Sequence, residues 1–146
     1  MTMNSRDQSV VETIGEPRWR PMLRYVADLH QRSTHPPQPP FPFPWEEIGP
    51  GYCYGPAFGH WDLIHQVFDA LVLDPQHAKH QILDNLAAQQ DDGMVPGSIW
   101  LRDKEPRWSH TIGHPPVWPV AVQDYVDRFG VDGLDNRGDL IAACYD

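Results

Sequence analysis

Three short stretches bring aromatic and polar side chains together where a helix begins or a loop turns. The first is Gly59-His60-Trp61-Asp62, directly ahead of an apolar helical stripe. An indole face stacks on a sugar ring, and a carboxylate accepts paired hydrogen bonds from neighbouring hydroxyls, so Trp61 and Asp62 suit a saccharide. The plainer alternative makes Asp62 a first-turn acid favoured by the helix dipole, and Trp61 a core anchor. The second stretch is Gln89-Gln90-Asp91-Asp92-Gly93-Met94-Val95-Pro96, which by itself reads as a helix end followed by a turn. The third runs from His110 to Trp118 and carries His114-Pro115-Pro116, where His114 either donates to a ligand or caps local backbone. Tyr54, Trp100 and Trp118 are the aromatics available as cleft walls.

Other chemistries find less support. His77 and His80 share a helix face and His110 and His114 stand four apart, but no carboxylate accompanies them at metal-binding spacing, so no metal is expected. Ser98 and Ser109 lack a nucleophile-elbow context. The glycines between 49 and 59 have no Lys-Ser/Thr after them and so make no phosphate loop. Cys53 and Cys144 read as free thiols of a reducing compartment. No cofactor is expected.

The elements that must position these groups read as helices. Residues 1–15 are polar and read as a disordered leader, and the domain is taken as 16–146. Met22, Leu23, Val26 and Leu29 give one buried stripe between Pro17 and Ser33. From Pro36 to Pro44 proline excludes regular ladders, and Phe41 and Phe43 pin the segment onto the domain as a strap. Leu63, Ile64, Val67, Phe68 and Leu71 predict a helix from His60 to Leu73. Asp74-Pro75 then supplies an N-cap and a first helical residue, so the next helix, to about Gln90, folds back as a hairpin. A fourth helix follows Pro115-Pro116, and a weaker fifth spans Leu134 to Tyr145. No alternating strand pattern of useful length appears, and the expected fold class is all-α.

Composition narrows the partners. The chain has 146 residues and a net charge of −9, which repels a phosphate backbone and argues against nucleic acid. No run of about 18 apolar residues exists, so no membrane span is expected. The polar first 15 residues lack an apolar signal core, which suggests a cytoplasmic protein. Leu, Ile, Val and Phe together number only 33, a thin core for this length, so self-association or a further C-terminal half is expected to complete it.

Taken in order, Gly59-His60-Trp61-Asp62, Asp74-Pro75, Gln89 through Pro96 and His114-Pro115-Pro116 resemble the six-hairpin (α/α) barrel glycosidases. The mannosyl-oligosaccharide glucosidase and trehalase-like families, including mannosylglycerate hydrolase, are the most similar, over about residues 50–130. The resemblance implies helical hairpins forming an incomplete (α/α)6 toroid. It implies that Trp61 and Asp62 hold the sugar, and that the turn of Gln89, Asp92, Gly93 and Pro96 closes a hairpin beside the cleft. His114 stands where the family's pattern usually has a sugar-contacting glutamine. The implied activity is inverting acid–base hydrolysis of an α-linked glucoside or related small disaccharide. The acid and base of that family lie further along the chain, beyond Asp146. The competing expectation is a non-catalytic helical module that binds carbohydrate or a partner protein.

Overall fold

Apolar residues at helical spacing from Leu63 to Leu71 are what build the centre of the molecule. The computed structural model describes residues 5–49, 55–101, 105–130 and 134. Its elements are α1 (Ser5–Thr13), a 3-10 turn (Pro17–Trp19), α2 (Arg20–Ser33), β1 (Thr34–His35), β2 (Trp45–Glu46), β3 (Ala57–Gly59), α3 (His60–Leu73), α4 (Pro75–Leu86), β4 (Ser98–Trp100) and α5 (Trp118–Phe129). α3 occupies the bounds its apolar pattern predicts, and buries Leu63, Ile64, Val67, Ala70 and Leu71. Asp74 caps α4, its Oδ1 accepting from the backbone N–H groups of Gln76 and His77, both at 3.2 Å. One residue therefore turns the chain back on itself, and α3 packs on α4 as a hairpin. α5 lays Trp118, Ala121 and Tyr125 against the same core.

The proline-rich segment is a strap, pinned largely as its phenylalanines suggest. Phe41 is buried and packs on Phe58, with ring centroids 4.4 Å apart. Phe43 stays half-buried and stacks on His80, nearly coplanar at 4.5 Å. Trp45 completes the group from the strap's far end, fully inside. Each such side chain contributes about 1.5–3 kcal/mol by leaving water.

The all-α reading, and with it the partial toroid of helical hairpins, is overturned. Two antiparallel two-stranded sheets accompany the helices: β1 pairs with β2 (Thr34↔Glu46, His35↔Trp45), and β3 with β4 (Ala57↔Trp100, Phe58↔Ile99, Gly59↔Ser98). The fold is mixed, with about half of the described residues helical. Strands of two and three residues are too short to show an alternating period, and β3 is buried along its whole length, so alternation was never available as a signal. The first residues also depart from a disordered leader: Ser5–Thr13 is helical and Val11 is fully buried against Ala27 and Leu73 in a second, smaller core. The fifth helix expected from Leu134 lies outside the described residues, apart from Leu134 itself, which is buried in the main core. Among the described residues no helix is long and apolar enough to cross a membrane.

Candidate functional site

The C-terminal end of α4 opens into a cleft of about 540 Å³. Gln89, Gln90, Asp91 and Asp92 form one wall, Trp108 and His110 the other, and Pro40 of the strap closes one side. α4 ends at Leu86, and after residues 87–90 Asp91-Asp92-Gly93 turns the chain, with Gly93 at φ 85°, a left-handed value that favours glycine. Local hydrogen bonds fix that turn. Asp92 Oδ1 accepts from Met94 N at 3.1 Å, and Gln89 Nε2 donates to the Gly93 carbonyl at 3.1 Å. One longer tie crosses the cleft: His110 Nδ1 donates to Gln90 Oε1 at 2.6 Å. The Trp108 ring lies 5.8 Å from that of His110, and its indole N–H has no acceptor among the described residues. A flat indole, carboxylates, amides and an imidazole around one open space form a wall that can stack on and hydrogen-bond to a polyhydroxylated ring.

The other sequence-predicted residues are not gathered here. Trp61 is 39% exposed on the outside of α3, edge-on to His65 at 5.9 Å. Asp62 folds back over the start of its own helix. A Cβ on Gly59 would meet Asp62 Oδ2 at 2.7 Å and the Ile48 side chain at 2.8 Å, so Gly59 is there for space rather than for its φ of −111°. Trp61 and Asp62 therefore do not line the cleft. Trp118 is buried in the core of α5 and is no cleft wall. Trp100 is half-buried in β4, its backbone paired with Ala57 and bridged to Arg107. Tyr54 lies outside the described residues.

His114 belongs to a neighbouring network. Its ring packs so closely on Gly97 that a Cβ there would meet it at 2.8 Å. Beside it, buried His60 donates from Nδ1 to Asn85 Oδ1 at 2.8 Å, and its backbone N–H donates to the Gly97 carbonyl at 3.0 Å. Burial holds His60 below the usual imidazole range; the Asn85 bond opposes this and the nearby His114 adds to it. A neutral ring follows near pH 7.

A second polar cluster escaped the sequence reading. Glu46 is 1% exposed and accepts from His30 Nδ1 at 2.8 and 3.0 Å and from His77 Nε2 at 3.0 Å. Its backbone N–H donates to Gln81 Oε1 at 2.8 Å, while Gln81 Nε2 donates to the Pro44 carbonyl at 2.7 Å. Further along α4, Asp84 accepts from Phe43 N at 3.2 Å, and its other oxygen has no partner among the described residues. Burial pushes the Asp84 carboxyl up to about 8, the Phe43 bond only partly opposing it. His77, Gln81 and Asp84 recur at helical spacing, so one face of α4 is a largely buried polar stripe holding the strap. Hydropathy cannot flag such a face, although the run of polar types at i, i+4 and i+7 was visible.

Among the described residues no group of three His, Cys, Asp or Glu side chains is arranged to hold a metal ion. No family model, no curated protein and no solved structure matches this chain.

Proposed function

We propose that this protein binds a small saccharide in the cleft at the end of α4. What carries the reading is the pairing of Trp108 with Gln89 and Asp92 around one open space of about 540 Å³. That volume suits one or two sugar rings. Gln89 and Asp92 were singled out by resemblance; Trp108 supplies the stacking surface that Trp61 and Trp118 do not. A cytoplasmic location belongs to the same proposal.

Hydrolysis of an α-linked glucoside is the second reading, favoured by one observation: two carboxylates, Asp91 and Asp92, line the same cleft. Inverting hydrolysis needs one carboxyl to protonate the leaving oxygen and another to activate water. A non-catalytic binding module needs neither. Tryptophan fluorescence, titrated with glucosides, mannosides and short disaccharides, tests the binding proposal. Saturable quenching by one sugar, weakened in Asp92→Ala, is expected; no response from the folded chain to any of the panel contradicts it. Release of free sugar in the same samples, absent in Asp91→Asn and Asp92→Asn, separates the hydrolase from the binding module.

A further inference from the structure

Glu46 ties three elements to one buried carboxylate: β2, which carries it, α2 through His30, and α4 through His77. Away from this point α1 and α2 have little apolar hold on the rest. Among the described residues their shared core buries Val11, Ala27 and Leu73, with Val10, Ile14, Leu23 and Val26 partly buried around them, against seventeen buried residues in the main core. Between α2 and the α3–α4 hairpin lies a pocket of about 260 Å³, walled by Ala27, His30 and Thr34 on one side and Ala70, Leu73 and His77 on the other. The joint is thus polar at its centre, weakly apolar around it, and already parted by a cavity.

We propose that this joint is a proton-operated latch: protonated His30 holds α1 and α2 down over the pocket, and loss of that proton lets α2 lift and opens the pocket to small molecules. When His30 loses its proton, Glu46 keeps its hydrogen bonds to both imidazoles but loses the positive charge of His30 from its buried surroundings, which favours any motion that lets water reach the carboxylate. Burial alone would lower the His30 pKa, but the hydrogen bond and charge of Glu46, with Asp69 helping, raise it above the usual imidazole value. Burial would raise Glu46, and its bonds to His30 and His77 instead hold it below the usual carboxylate range. A raised histidine stabilises the closed form fully below its unfolded pKa of about 6.5 and stops doing so as pH rises through its folded value. A lowered carboxylate contributes above about 4.5 and is lost as pH falls through its folded value. The latch is closed between those two folded values and opens on the alkaline side.

The other charged groups around His30 do not reverse this sign. From α3, Asp69 Oδ2 stands 3.9 Å from His30 Nε2 and is largely exposed. Just after β2, Glu47 faces His35 of β1 at 3.6 Å. From the start of α4, Asp74 caps its own helix, and His80 is held low by burial first and then by His77. On α2 itself Asp28 is paired with Arg32 at 2.8 Å on the exposed side.

Amide hydrogen exchange on the whole chain between pH 6 and pH 9, corrected for the intrinsic rate, reads the latch locally. Protection across Arg20–Ser33 is expected to fall about tenfold or more relative to α3, in step with the His30 titration followed by nitrogen-15 shifts. His30→Gln should leave α2 weakly protected at both pH values. Parallel losses in α2 and α3, a pH-independent α2, or a His30 that titrates below 6.5 would each overturn the proposal. The wild-type comparison decides the matter even if the variant does not fold.

Discussion

α4 and the turn that follows it carry similar residue types and do opposite things with them. Along the helix, His77, Gln81 and Asp84 bond to Glu46 and Phe43, 31 to 41 positions away, and every partner is wholly or partly buried. In the turn beyond it, Gln89 and Asp92 bond within 4 positions of themselves and leave a cleft beside them. Polar groups whose bonds reach across the fold are framework, because their removal strands buried partners. Polar groups fixed locally around open water are available to a ligand. The helix therefore anchors the strap, and the turn that follows it presents a binding wall.

The sharpest way to break this contrast is to cut the framework. Trp45→Ala removes a fully buried indole from the strap and is expected to lower stability by about 3–5 kcal/mol in urea unfolding. A loss smaller than that of Trp108→Ala would mean the strap is not the framework.

Asp84 gives the next largest effect, with a sign set by pH. Its folded pKa of about 8 lies far above the unfolded 3.8, so the folded state favours the protonated form. That penalty is absent below 3.8, grows as pH rises, and levels off above 8. Asp84→Asn keeps an acceptor for Phe43 N but leaves an amide N–H to satisfy, which offsets part of the gain. The variant is expected to be more stable than wild type by roughly 2–4 kcal/mol at pH 8 and little changed at pH 4. Thermal unfolding at the two pH values checks this.

The smallest stability effect belongs to the cleft. Asp92→Ala removes one exposed turn bond and is expected to cost about 0.5–1 kcal/mol or less, while weakening saccharide binding about tenfold. A large stability loss with unchanged binding would move Asp92 into the framework.

Much of the helical scaffold was legible because it is written in apolar period and caps. His60–Leu73 and the Asp74-Pro75 restart follow directly from residue type, and so does the burial of Phe41. The sheets were not legible, because β1 and β2 have two residues each and depend on partners 10 to 12 positions away. Of the site, Gln89 and Asp92 line one cleft with each other, but Trp61, Asp62 and Trp118 do not join them. Sequence order placed Trp61 and Asp62 at a helix start without fixing which way that start faces. Trp108 carries no local signal of its own in the sequence, and its partnership with the turn after α4 depends on how the segment that holds it folds back. Glu46 was invisible as a site because its two histidine partners lie 16 and 31 residues away.

The claim that the cleft rather than the start of α3 holds the sugar is tested most directly by comparing two tryptophan variants. Isothermal titration of Trp108→Ala and Trp61→Ala with the sugar that quenches wild type gives the answer in one pair of curves. Binding lost by tenfold or more in Trp108→Ala and retained in Trp61→Ala is the predicted result. Binding retained in Trp108→Ala and lost in Trp61→Ala would contradict it and move the site to the first turn of α3.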